Sequence, residues 1–283
     1  MLVLCPFISR SGSTFLFNQL SRHPDVFVCP EAEILIHRLL DSPEARFGDL
    51  PLLRERLLRD LKEDPKLAGW SLASSDVAAL DDDGTCFQAF VALLKSYLAR
   101  VKPDASRIVF KGPRRLLRSL AALRVASEIS ANIKILSIVR DGRAAFASQK
   151  RAIRPMTGRP MNVSPVRSAK EWMEFVKGFD SLACGRFQGR AMLVQYERLV
   201  RDYDEQMDRI MSFLGVSATA KGFDASDFAE RIPEAYHTLH VNIDRNPLLE
   251  RLDAWRDSLT PTEVFWFESV AQESLSGLGY DLI

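Results

Sequence analysis

Short apolar runs alternate along the chain with longer stretches of helical spacing. Residues 2–8 are an uninterrupted apolar run that turns polar at Ser9, the pattern of a strand buried on both faces. Thr14–Ser21 continues as a helix that ends near His23-Pro24, where proline stops it. Pro30–Leu40 and Leu50–Lys62 carry helical spacing, and Asp81-Asp82-Asp83-Gly84 is a solvated turn. Thr85 with Gln88 three residues on is a capping-box signal; Phe87, Phe90, Val91, Leu94 and Leu98 then follow on one helical face. Arg107–Lys111 is a second short strand, Arg114–Ala131 an amphipathic helix, and Ile133–Val139 a third strand that runs into Arg140. Ala191–Gln195 is a fourth, followed by a helix from about Asp204 to Leu214 that Gly215 closes. Thr260-Pro261-Thr262-Glu263 opens a last helix with an N-cap, a proline at the first position and a glutamate at the third.

Short buried strands separated by helices predict an α/β fold, a central mainly parallel sheet flanked by helices. Ligands of such sheets sit at the carboxyl ends of the strands, so the residues after each strand carry the functional information. Composition narrows the class further. With 283 residues, 47% of them hydrophobic, the chain can fill a core, and a single domain over 1–283 is expected. Its 38 basic and 37 acidic side chains leave a net charge of +1. That balance excludes nucleic-acid binding driven by total charge and argues against disorder. No uninterrupted apolar run reaches the ~18 residues of a membrane helix, so no transmembrane segment is expected. The first residues lack a charged leader and read as a strand rather than a signal peptide. Cys5, Cys29, Cys86 and Cys184 lie far apart without metal-ligand spacing. No metal is expected from them, and unbridged thiols fit a cytoplasmic location.

Two strand ends carry chemistry. Ser9-Arg10-Ser11-Gly12-Ser13-Thr14 is a glycine-containing turn between strand and helix, whose backbone N–H groups and hydroxyls would converge on an anion. A serine-rich cap without a ligand is the plain alternative. The turn is not a Walker A loop, because no lysine closes it. About 130 residues later the third strand ends in Arg140-Asp141-Gly142-Arg143. Arg140 is placed for a second phosphate, and Ser148, two helical turns on, shares its face. A surface arginine pair with a local Asp141 salt bridge is the alternative there. Charge within the neutral total is uneven: from Arg140 to Lys170 eight basic side chains accompany one acidic. Such a rim suits a ligand with several negative charges.

Together these motifs resemble the PAPS-dependent sulfotransferase family. Ser9–Thr14 is similar to its phosphosulfate loop, and Val139-Arg140-Asp141-Gly142-Arg143 with Ser148 to its 3′-phosphate motif. His23-Pro24-Asp25-Val26 through Cys29-Pro30-Glu31, Tyr196-Glu197-Arg198-Leu199-Val200 with Phe213-Leu214-Gly215, and the tail Trp255–Thr260 with Leu278-Gly279-Tyr280 also resemble family segments. The branch of tyrosylprotein and many bacterial sulfotransferases fits best. It departs from that branch at Ser9, at Ser13 and at Phe110, which stands where a disulfide partner of Cys29 would be.

The resemblance implies a P-loop-like sulfotransferase fold. It implies 3′-phosphoadenylyl sulfate (PAPS) as cosubstrate, adenosine 3′,5′-bisphosphate (PAP) as product, and an acceptor substrate bearing a hydroxyl group. It assigns Arg10, Ser11, Gly12, Ser13 and Thr14 to the phosphosulfate and Arg140 and Ser148 to the 3′-phosphate. Tyr196 would contact the cosubstrate, unless it is an aromatic core plug. Arg245 takes the spacing of a further cosubstrate contact. Glu31 is the expected general base, with Glu33 as rival, and Lys111 the expected catalytic lysine, with Arg10 stabilising the leaving phosphate. No nucleic-acid partner is implied, and a homodimer is open. A P-loop kinase-like phosphotransferase and a catalytically inactive nucleotide-binding relative remain the alternative readings. Trp70, Phe87, Phe90 and Tyr97 are either acceptor-pocket walls or core, and Arg154–Pro160 is expected to be a mobile loop that closes over a bound ligand.

Overall fold

The elements follow one another as β1 (Leu2–Phe7), α1 (Ser13–Ser21), β2 (Val26–Val28), α2 (Glu33–Ile36), α3 (Leu50–Glu63), α4 (Ser74–Ala78), α5 (Cys86–Val101), β3 (Arg107–Pro113), α6 (Arg114–Ala122), β4 (Ile133–Val139), α7 (Gly142–Arg151), α8 (Pro165–Cys184), β5 (Ala191–Gln195), α9 (Tyr196–Arg201), α10 (Tyr203–Leu214), α11 (Trp255–Ser258) and α12 (Pro261–Gly277). The computed structural model describes residues 1–42, 49–64, 67, 70, 72–78, 80, 85–122, 132–154, 157–217, 249 and 252–283. The five strands form a mainly parallel sheet in the order β2-β3-β1-β4-β5. All six residues of β1 are buried, and β4 is buried at every position but Lys134. Continuous burial of this kind is what a parallel sheet covered on both faces requires.

The strand order decides where a ligand can sit. After β1 the chain goes to β2 on one side, and after β4, the other neighbour of β1, it goes to β5 on the opposite side. Connections that diverge from adjacent strands leave a crevice at their carboxyl ends, the topological switch point of an open α/β sheet. That point lies at the ends of β1 and β4, where the turn at Ser9–Thr14 and Arg140 begin.

Residue contacts divide the chain into two compact units. One draws on described residues within Met1–Pro6 and Gln19–Ile135, the other on those within Phe7–Asn18, Leu136–Ala220 and Glu234–Ile283. In the first, β2 pairs with β3 in the register Val26↔Arg107, Phe27↔Ile108, Val28↔Val109. Three residues are too few to show a period, so β2 is absent from the sequence reading. The Cys29 N–H continues the ladder to Val109 O at 2.8 Å. This holds the chain extended past β2, so the helix expected over Pro30–Leu40 begins only at Glu33, and it widens into a π-helical turn over His37–Asp41. The strand expected to end at Lys111 runs on to Pro113, placing Lys111 inside β3. Of the helix expected over Arg114–Ala131, the stretch to Ala122 is helical; residues 123–131, like the turn at 81–84, lie outside the described residues.

Trp70, Phe87, Phe90 and Tyr97 prove to be core. All four are at most 3% exposed; Trp70 stacks on Tyr97 at 4.7 Å, and Phe90 meets Phe110 edge-on at 4.9 Å. The expected capping box closes in both directions, with Gln88 N–H donating to Thr85 Oγ1 and Thr85 N–H to Gln88 Oε1. In the second unit α8 and α12 pack together around Trp172, Phe175 and Phe267. The Ser164-Pro165 start of α8 is an N-cap and first-turn proline that the sequence reading passed over. Of the loop expected over Arg154–Pro160, residues 155 and 156 lie outside the described residues. Ile153 bridges Pro160, and the Arg154 N–H donates to Arg159 O at 2.8 Å. The four cysteines are thiols. Among the described residues no helix is long and apolar enough to cross a membrane.

Phe90→Ala should lower the unfolding free energy by about 3–5 kcal/mol, the usual cost of truncating a buried phenylalanine. Denaturant titration checks this, and a loss below about 1 kcal/mol would contradict the core placement.

Candidate functional site

The second unit contains both strand ends of the switch point. The chain leaves β1 through a turn in which Arg10 (φ 71°) and Gly12 (φ 89°) are left-handed. For a non-glycine residue this costs about 1–2 kcal/mol, so Arg10 needs something to hold it. Its Nε donates to Ser148 Oγ on α7 at 2.9 Å. Gln149, the next residue, donates from Nε2 to Ser9 O at 3.0 Å and accepts from Ser168 Oγ at 3.1 Å. The turn and α7, distant in sequence, are thus fastened to each other. Gly12 is required twice over. Beyond its φ, a Cβ there would lie 2.1 Å from Cδ2 of Tyr196. Helix α1 starts at Ser13, with its first such bond from Leu16 N–H to Gly12 O; the opening N–H groups of a helix point beyond its end, toward an anion if one binds. Ser11 is fully buried, and its Oγ has no hydrogen-bond partner among the described residues. A buried hydroxyl without a partner costs free energy, which a ligand oxygen at the turn would recover.

The second strand end is built with equal care. The Arg140 guanidinium lies over the Tyr196 ring, 4.9 Å from its centroid. Both ends of the peptide group that follows are held by side chains. Trp172 Nε1–H donates to Arg140 O at 2.9 Å, and the Asp141 N–H donates to Glu197 Oε1 at 2.9 Å. Asp141 caps α7, accepting from Arg143 N–H at 2.9 Å. The local Asp141 salt bridge forms with Arg143: Asp141 takes Arg143 Nε at 3.0 Å and a terminal guanidinium nitrogen at 2.7 Å. Arg143 is 1% exposed, bonds Glu268 and Asp281 O as well, and lies over Trp255. It is a fully partnered buried charge, whereas Arg140 stays half-buried.

The electrostatics of the site favour an anion. Burial, then the like charges of Arg140 and Arg151, pull the Arg10 guanidinium below its usual pKa. A bound anion would reverse the repulsion. Burial pushes the Glu197 carboxyl up, against the hydrogen bonds from Asp141 N–H and from Tyr280 OH. Burial and the neighbouring Glu197 push the Tyr280 hydroxyl up, so it stays a donor. Its bond to Glu197 Oε2 is 2.9 Å.

The structure therefore brings Arg10, Gly12, Arg140, Ser148 and Tyr196 together, with Ser11 and Ser13 buried in the same turn and Thr14 on the first turn of α1. Tyr196 is not a core plug; it is half-buried between Gly12 and Arg140. Glu31 and Lys111 belong to the first unit. Glu31 is half-buried in the extended segment before Ala32, the cap of α2, and Glu33 is exposed as the first residue of that helix. Lys111 is 7% exposed, beside Gly112, where a Cβ would lie 2.6 Å from Ile36 Cδ1. Arg245 lies outside the described residues. Sequence reasoning gave no role to Glu197, Trp172 or Tyr280. Glu197, next to Tyr196, and Tyr280, in the tail segment, stand inside motifs that it quoted, and Trp172 stands in none.

Gly12→Ala should destabilise the fold by at least ~1 kcal/mol from backbone strain alone. Combining it with Tyr196→Ala should recover the part due to the ring clash, giving a non-additive double-mutant cycle. Additive losses in thermal unfolding would contradict the packing of Tyr196 on the turn.

Comparisons with known proteins place the chain in a family and a fold. Over 215 residues, 74% of this chain and 50% of the relative, the protein is 26% identical to protein-tyrosine sulfotransferase 2 of Gallus gallus. The chain thus spans half the length of that curated relative. Its fold is similar to the sulfotransferase domain from the curacin biosynthetic pathway, with a TM-score of 0.61 at 19% identity, covering 99% of this chain and 98% of that one. It is also similar to the sulfotransferase domain from the Synechococcus PCC 7002 olefin synthase, with a TM-score of 0.57 at 21% identity and coverage of 100% and 96%. Residues 7–220 match the Sulfotransferase family, which contains both strand-end motifs, and the chain belongs to that family.

Proposed function

We propose that the protein moves the sulfonate group of PAPS to a hydroxyl oxygen of an acceptor. The observation that carries this reading is the convergence of two cations, Arg10 and Arg140, at the switch point of the sheet, near enough for Arg140 to act on the charge of Arg10, with the Tyr196 ring against Arg140 and Gly12. They fit a nucleotide that is anionic at two positions. The buried, unpartnered Ser11 Oγ and the close approach of backbone permitted by Gly12 fit the phosphosulfate end. Arg140, with the hydroxyl proton of Ser148, fits the 3′-phosphate. Tyr196 offers a ring face beside both. A kinase-like phosphotransferase is less favoured, because Arg10 precedes the glycine and no lysine closes the turn.

PAPS supplies an activated sulfonate and departs as PAP. The chain's residues then have three tasks: alignment, proton removal and stabilisation of charge on the leaving phosphate. Arg10 and the N–H groups of the turn take the last. Glu31 takes the proton of the acceptor hydroxyl as its oxygen bonds to sulfur, and Lys111 donates to the oxygen between sulfur and the leaving phosphate. Register supports pairing these two. Val28 lies opposite Val109 in parallel strands, so Glu31, just past β2, and Lys111, in the carboxyl-terminal half of β3, both lie within three residues of that pair. Half-burial favours Glu31 over the exposed Glu33 as base. A small alcohol, a carbohydrate and a peptide tyrosine are all acceptors of the right chemistry, and the chicken relative's name adds weight to the last. Four thiols without a disulfide support a reducing, cytoplasmic setting.

Incubation with sulfur-labelled PAPS and an acceptor panel tests the reading directly. Label should move to an acceptor, and thermal stability should rise with PAP more than with ATP–Mg²⁺. The opposite preference would favour the phosphotransferase. Arg140→Ala should weaken PAP by about 1.5–3 kcal/mol, the loss of a charged hydrogen bond, with little change for 5′-AMP in calorimetric titration. Glu31→Ala should cut turnover by about 10²–10⁴ while PAP affinity stays near normal; undiminished turnover would move the base elsewhere.

A further inference from the structure

Tyr196 and Glu197 are consecutive residues at the start of α9, and they hold opposite ends of one arginine. The Tyr196 ring lies against the Arg140 guanidinium, and the Glu197 carboxylate takes the N–H of the peptide that follows Arg140. Trp172 takes the carbonyl of the same peptide. That peptide group therefore has little freedom to rotate, and the root of the Arg140 side chain is fixed with it. Glu197 is in turn fixed. Its second oxygen accepts from Tyr280, and the Tyr280 ring lies 6.4 Å from that of Trp172. The tail segment is itself anchored: the Tyr280 N–H donates to Leu275 O at 3.0 Å, and Asp281 O accepts from Arg143 at 2.8 Å.

We propose that Glu197, oriented by Tyr280, is a positioning residue for Arg140, setting the protein's discrimination for a nucleotide with a 3′-phosphate without touching the nucleotide. The inference rests on the sulfotransferase reading above. Glu197 is more than a core filler, because a buried carboxylate is a costly way to fill space, and both of its oxygens are committed to defined donors. An arginine that grips a phosphate must be placed within a few tenths of an ångström to keep its hydrogen bonds. The peptide clamp provides that placement before any ligand arrives.

Calorimetric titration of PAP and of 5′-AMP into the wild type, Glu197→Ala, Glu197→Gln and Tyr280→Phe tests the proposal, with thermal unfolding run in parallel. The readout is the ratio of the two affinities, which a uniform loss of stability does not move. Glu197→Ala should lower the preference for PAP about tenfold, as a misplaced charged hydrogen bond would. Glu197→Gln should restore most of it, since an amide oxygen still accepts from Asp141 and its N–H₂ can donate to Tyr280. Tyr280→Phe, the milder change, should give an intermediate loss and carries the test if Glu197→Ala does not fold. Folded variants that keep the wild-type ratio, or that weaken both ligands equally, would overturn the positioning role. A wild type with no preference for PAP would overturn the sulfotransferase reading and the inference with it.

Discussion

Like charges brought together in a half-buried site repel, and the second unit is arranged to hold two of them in place. Arg10 is kept in a left-handed conformation with its guanidinium tied to Ser148. Arg140 is kept by a peptide gripped at both ends and by the ring of Tyr196. Neither arrangement is the lowest-energy choice for an isolated chain. Left-handed arginine costs about 1–2 kcal/mol, and burial beside other guanidinium groups lowers the affinity of Arg10 for its proton. Such strain persists when the surrounding structure over-determines it, and it collects at sites where a ligand completes the balance. The nucleotide proposed above, anionic at two separated positions, would be such a ligand.

The contrast with Arg143 makes the point. It lies three positions after Arg140, yet its environment is the reverse: fully buried, bonded to Asp141, Glu268 and a backbone carbonyl, and stacked over Trp255. Acidic partners hold that guanidinium charged. It secures the start of α7 and the tail. Asp141, the acid next to Arg140, is committed to Arg143, and the Arg140 guanidinium lies over the Tyr196 ring.

Much of this was legible in the sequence, because it rests on local signals. The apolar runs of β1 and β4, the capping boxes at Thr85 and Thr260, and the glycine turn are patterns within a few residues, and they came out as read. What escaped was short or long-range. Val26–Val28 is below the length at which alternation can be seen. The late start of α2 follows from the Cys29 N–H joining the β3 ladder, a contact that no local pattern encodes. Ambiguity between pocket wall and core at Trp70 and Tyr97 could be resolved only by seeing them stack. The Glu197–Asp141 and Tyr280–Glu197 bonds join residues 56 and 83 positions apart. A carboxylate and a tyrosine in such a network look, in sequence, like any other surface pair.

The measurement that bears most directly on the central claim is a crystal structure of the wild-type protein with PAP. The account predicts the 5′-phosphate within the Ser9–Thr14 turn, accepting from its N–H groups and from Ser11 Oγ, and the 3′-phosphate on Arg140, with Tyr196 between them. A nucleotide bound in the opposite direction, or engaging only one of the two arginines, would contradict it.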